Sequence, residues 1–130
     1  GSLKGMYRVI RRNRFIFLNK ELSDKMLHIV CAHELGHDQL HRRLAQANCL
    51  HEFMLYDMTT RPEYEANIVA AEILIDTDEL LEYIYSYNYS AEQIAMAMDT
   101  DINLVALKIA HLTGLGYDLR PVEYRSDFLH

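Results

Sequence analysis

What this sequence lacks narrows its class first. It holds two cysteines, Cys31 and Cys49, in 130 residues. Two do not build a disulfide framework, so both thiols read as reduced. No apolar run approaches the roughly 20 residues that a bilayer-spanning helix needs, and no secretory signal pattern is present. Positive charge is short as well: 13 basic against 19 acidic residues leave a net charge of −6. Nucleic-acid-binding domains ordinarily carry a basic patch, so this balance argues against one. The one dense basic cluster, Arg8, Arg11, Arg12 and Arg14, reads as the solvated end of a hairpin. Internal repeats and low-complexity linkers are absent too. What remains has one-domain length, half of it hydrophobic and a quarter charged, in keeping with a globular cytoplasmic protein. Gly1-Ser2 resemble the remnant of a cleaved tag, which places a single domain at 3–130 with a polar, aromatic tail from about 117.

Local signals then order the chain. "MYRVI" and "RFIFLN", separated by "RRN", are short, β-branched and aromatic, and predict a hairpin. Ser23 offers an N-cap to a helix in which Met26, Val30, His33, His37, Leu40 and Leu44 share one face. Gly36 lets another element approach that helix closely. Residues 48–60 hold no strong period. Thr60 and Glu63, in capping-box spacing with Pro62 between, open a second helix that runs to about 76, and Glu63 is assigned to the cap. "TDELLEYIYSY" predicts a short third helix, at whose end the alternating tyrosines 83, 85, 87 and 89 are expected to pack. Ser90 and Gln93 cap a fourth, and "INLVALKIAHLTG" a last one, with Gly114 past its end. The final two have helix-turn-helix proportions. The second of them offers only Asn103 and Lys108 to a DNA groove, so the pair is read as core.

The chemistry lies in "AHELGH". A helix stacks residues i and i+4, so His33 and His37 project side by side. Neutral imidazoles at that spacing bind one Zn²⁺. Glu34 follows His33 by about 100° of rotation and flanks the pair, where a general base for an activated water belongs. Cys31 is turned about 200° from His33 and reads as packing. Against a bland, metal-free core stands the number of polar groups that burial would leave needing partners.

A catalytic site needs a third protein ligand. Leu40 and Arg43 occupy the positions at which a metzincin carries glycine and histidine, which excludes that class. His41 lies one turn past His37 and is a candidate for supporting it. A carboxylate from the second helix is required, and Glu65 and Glu72, seven apart, share a face there. Spacing alone does not choose between them; Asp76 would follow Glu72 as a supporting group. Tyr7, Tyr64 and His111 are candidate donors to an oxyanion.

These motifs are similar to those of the ImmA/IrrE-type metallopeptidases, whose members carry AHELGHxxLH followed by a segment like EANxFAAELLMP. Glu65-Ala66-Asn67 matches EAN, and Val69-Ala70-Ala71-Glu72 matches FAAE. Val69 replaces the usual aromatic, Asp76 stands where proline is usual, and members tend to carry more chain before the first strand. The resemblance implies Glu65 as third ligand, with Glu72 as the alternative. It implies an α+β fold, a short antiparallel sheet packed on the metal-bearing helix and followed by a helical bundle, as in a minimal zincin core. It also implies a narrow-specificity zinc endopeptidase whose protein substrate is a DNA-binding transcriptional repressor of a mobile element or stress response. The acidic balance argues against direct contact with nucleic acid, and the lack of a long apolar run against a membrane. A metal-binding regulator or adaptor that docks without hydrolysis is the alternative; an intact Glu34 favours the enzyme.

Overall fold

The computed structural model describes residues 4–43 and 60–119. Nearly all of the stretch expected to be irregular at 48–60 lies outside them, as do Leu44, Cys49 and most of the tail. The fold is α+β, as expected: a two-stranded antiparallel sheet and, among the described residues, five helices. The chain divides into two compact units, Gly1–Ala70 and Ala71–His130.

In the first unit β1 (Gly5–Ile10) pairs with β2 (Asn13–Leu18), from Gly5 opposite Leu18 to Ile10 opposite Asn13. The turn consists of Arg11 and Arg12, both left-handed at φ 51° and 69°. Two such residues in a two-residue loop match the right-handed twist of the strands, a geometry that asparagine and glycine usually supply. Tyr7 is buried, whereas Phe15 and Phe17 stack on each other and stay exposed. The outer edge of β2 has no strand partner among the described residues.

Helix α1 (Asp24–Leu40) starts where Ser23 accepts a hydrogen bond from the amide of Met26 at 3.3 Å. Its inner face buries Ile29, Val30, Ala32, His33, Gly36 and His37, but Leu40 is exposed, so the apolar stripe stops one turn early. Both strands pack on α1. Gly5 lies so close that a Cβ there would meet Val30. A polar anchor adds to this contact: Tyr7 donates to Asp38 at 2.7 Å, and Arg14 reaches both Asp38 oxygens at 3.1 and 3.2 Å. Arg14 therefore leaves the solvated cluster expected of it and ties β2 to α1.

Helix α2 (Arg61–Leu74) follows Thr60, whose hydroxyl accepts from the amide of Glu63 at 3.4 Å. Its Glu63, Ala66, Asn67 and Ala70 are buried and recur at i, i+3, i+4 and i+7, one face of a helix. That face meets α1 at Gly36, where a Cβ would lie 2.9 Å from Ala66 Cα and 3.0 Å from its carbonyl oxygen.

The second unit begins within α2 at Ala71. It continues through α3 (Thr77–Tyr85), α4 (Ala91–Ala97) and α5 (Ile102–Gly114). Asp76 is the N-cap of α3, accepting from Glu79 at 2.9 Å, which is why proline can be absent there. Ser90 and Gln93 form both halves of their capping box. Asp101 caps α5, and Leu80, Ile84, Ile94, Leu104, Val105 and Ile109 are buried. Gly114 is the last helical residue rather than the one beyond it; the left-handed glycine is Gly116, at φ 108°. Tyr83, Tyr87 and Tyr89 stack together at 5.4–6.1 Å, as expected for packing at the end of α3. Lys108 is buried and paired with Glu72 at 3.0 Å, so it does not face a DNA groove. No helix among the described residues is long and apolar enough to cross a membrane.

Candidate metal centre

His33 and His37 face α2 edge to face, with ring centroids 4.9 Å apart. Between their Nε2 atoms sits one oxygen, Oε1 of Glu63, at 3.0 Å from each. All three residues are buried. The carboxylate brought to the histidines is thus Glu63, not Glu65 as expected and not the alternative Glu72. Nor is Glu63 consumed by the helix cap, because only its backbone amide serves there.

The reason is the phase of α2. Glu63 and Glu65 are about 200° apart around a helix, so only one of them can face His33 and His37. Close packing of Ala66 on Gly36 selects the face of Glu63. Glu65 turns aside and accepts from His41 at 3.0 Å. Glu72 lies nine residues beyond Glu63, about 13.5 Å along the axis. It pairs instead with Lys108 at 3.0 Å and with His111 at 3.6 Å. His111 is therefore engaged with Glu72, and Tyr64 is exposed. Tyr7, a third oxyanion candidate, donates to Asp38; burial, reinforced by that carboxylate, pushes its pKa up to about 12. Sequence reasoning missed Glu63 and Asn67. The periodic run of Ala66 and Ala70 with them was the available signal.

Each imidazole is also held from behind. Nδ1 of His33 lies 2.7 Å from Oδ1 of the buried Asn67, an acceptor, so the ring proton belongs on Nδ1 and the Nε2 lone pair points at Glu63. Nδ1 of His37 lies 2.9 Å from Nδ1 of His41. Burial lowers the pKa of His37 and favours its neutral form; the carboxylate of Glu63 opposes this. Two imidazole nitrogens and a carboxylate oxygen then converge within 4.8 Å of one another. Such a donor set suits a divalent ion of the zinc type. The residues present fit such a metal.

Glu34 follows His33 and is buried, and its Oε2 has no hydrogen-bond partner among the described residues. Burial pushes its pKa up to about 7 in the metal-free protein; His33 lowers it and Glu63 raises it. A buried carboxylate oxygen left without a partner costs stability, which points to a chemical role. Cys31, half-buried with a free thiol, is not part of this group.

Residues 2–118 match the family model Peptidase_M78, described as the IrrE N-terminal-like domain. The chain is also 33% identical over 114 residues to "Uncharacterized immunity region protein 2" of Bacillus phage phi105, covering 88% of this chain and 67% of that protein. No solved structure matches. With nearly its whole described length matched and a metal-competent cluster at the expected helix pair, the chain belongs to the Peptidase_M78 family.

Proposed function

We propose that the protein is a zinc-dependent endopeptidase of narrow specificity, acting in the cytoplasm on a regulatory protein. The observation that carries this reading is the convergence of His33 Nε2, His37 Nε2 and Glu63 Oε1 beside the buried Glu34. His33, His37 and Glu63 would hold the ion. When bound, zinc supplies a Lewis acid that brings the pKa of a water toward about 7 and polarises the scissile carbonyl.

Glu34 acts as the general base. A nearby cation offsets the burial that disfavours its charged form, so its carboxylate takes a proton from water and returns it to the leaving amine. A purely structural site has no use for a buried, unpartnered carboxylate next to its ligands, which weighs against a docking adaptor. The open edge of β2 suits an extended peptide, which would pair with it by backbone hydrogen bonds.

The name of the phage relative ties that protein to an immunity region. By extension, the substrate proposed here is a DNA-binding repressor of a mobile element. The chain itself is acidic, and sequence-independent phosphate attraction is correspondingly weak. Incubation with a repressor encoded beside it should give one discrete cut, abolished by chelator. Glu34→Gln should keep its metal and its fold while hydrolysis falls by about 10²–10⁴-fold. Cleavage by that variant at the wild-type rate would overturn the mechanism. Gel-shift titration at low salt should give no specific complex with operator DNA.

A further inference from the structure

His41 closes helix α1, its backbone amide donating to the carbonyl of His37 at 2.7 Å. A histidine at a helix end is ordinarily solvated, yet this one is buried. Both ring nitrogens are engaged. Nδ1 lies 2.9 Å from Nδ1 of His37, and Nε2 lies 3.0 Å from Oε1 of Glu65. Glu65 is steadied in turn by Arg61, whose Nε is 3.5 Å from its Oε2.

The Nδ1-to-Nδ1 contact holds one proton between the two rings, and taken alone the pair has two arrangements. If His41 carries it, His37 must hold its own proton on Nε2, the atom that faces Glu63 and the ion. If His37 carries it, Nε2 of His37 keeps its lone pair. Glu65 breaks the tie. An ionised carboxylate only accepts, so it draws the proton of His41 to Nε2. Nδ1 of His41 is then an acceptor, and His37 must donate from Nδ1.

We propose that Glu65 and His41 are positioning residues, a two-step relay that fixes His37 as the Nδ1–H tautomer and thereby presents its Nε2 lone pair to the metal. Asn67 does the same for His33 in a single step. Glu65 thus acts on the site through two rings rather than by touching the ion. The inference rests on the zinc-site reading above. Groups in this position typically change metal affinity by about 10–100-fold when removed.

Two measurements test it on the full chain. The first uses no variant. Long-range ¹H–¹⁵N correlation spectra of the metal-free protein should place the His37 proton on Nδ1 and that of His41 on Nε2; the reverse assignment would overturn the relay. The second is a zinc-affinity series by competition with a chromophoric chelator. Glu65→Ala and His41→Phe should each weaken zinc by about 10–100-fold. His41→Gln, which keeps an acceptor for the His37 proton, should recover much of the loss. Because Glu65 works through His41, Glu65→Ala made in the His41→Gln background should cost little more. Full additivity of the two changes would sink the relay. His33→Ala distinguishes the failures. If it abolishes zinc while His41→Phe leaves affinity unchanged, the site stands and the relay falls; if His33→Ala also binds normally, the metal site itself is wrong.

Discussion

Glu63 and Glu65 stand two residues apart on α2 and serve different histidines. The first places one oxygen 3.0 Å from Nε2 of both His33 and His37; the second accepts from Nε2 of His41. This division of labour separates their mutational effects. On the proposed site Glu63→Ala should abolish stoichiometric zinc, because it removes a residue that would hold the ion. Glu65→Ala should leave stoichiometric zinc at saturating concentration. Metal analysis of the two variants equilibrated against a saturating excess of zinc checks this, and loss of metal from Glu65→Ala alone would reverse the assignment.

Metal-free protein should lose stability as pH rises through the weakly acidic range. The ordinary pKa of 4.5 for Glu34 is raised to about 7 by burial. A raised carboxylate gives its full contribution below about 4.5 and loses it as pH climbs to about 7, because ionisation in the buried site is disfavoured. The difference amounts to about 3 kcal/mol. His37 works the other way: burial holds its pKa below 6.5, so the folded state resists its protonation and stability falls at the acid end. Denaturant titrations of wild type and Glu34→Gln in chelator isolate the first effect. The variant should gain on wild type steadily from pH 4.5 to 7; parallel curves would contradict it.

Gly36→Ala should separate α1 from α2. The added carbon would come within 2.9 Å of a backbone atom, which cannot swing aside as a side chain can. Alanine gains about 1 kcal/mol of helix propensity, but overpacking costs about 1–3 kcal/mol, so a net loss is expected. The residues proposed to hold zinc sit on both helices, so zinc affinity should fall with stability. Chemical denaturation and chelator competition on one preparation would show the two moving together.

Tyr7→Phe removes the hydroxyl that meets Asp38 and leaves Arg14 on that carboxylate. The expected cost is about 1–2 kcal/mol in urea denaturation. Zinc affinity should not change, since neither Tyr7 nor Asp38 is among the residues that would hold the ion.

The sequence made local features legible and left the phase of one helix undecided. Hairpin, Ser23 cap and the Ser90–Gln93 box are each specified by residues within a few positions of one another, and all three form. The pairing of His33 with His37 needs only the helical repeat. Choosing among Glu63, Glu65 and Glu72 needs the rotation of α2 against α1, which the contact of Gly36 with Ala66 sets across 30 positions. That glycine reads from the sequence as a point of close approach, but spacing alone does not show which carboxylate the approach turns inward. Lys108 reads as a polar, solvent-facing position of the last helix for a similar reason. Its burial depends on Glu72, far away in the chain.

That last pair constrains how the family can vary. Lys108 has been withdrawn from water, with Glu72 as its close counter-charge and His111 sharing the same oxygen. Losing the carboxylate alone would strand a positive charge in an apolar interior, whereas exchanging both residues for well-fitted apolar ones can be neutral. Positions 72 and 108 should therefore drift through evolution as a couple, and an aligned set of relatives should contain few chains that keep the lysine without an acid facing it.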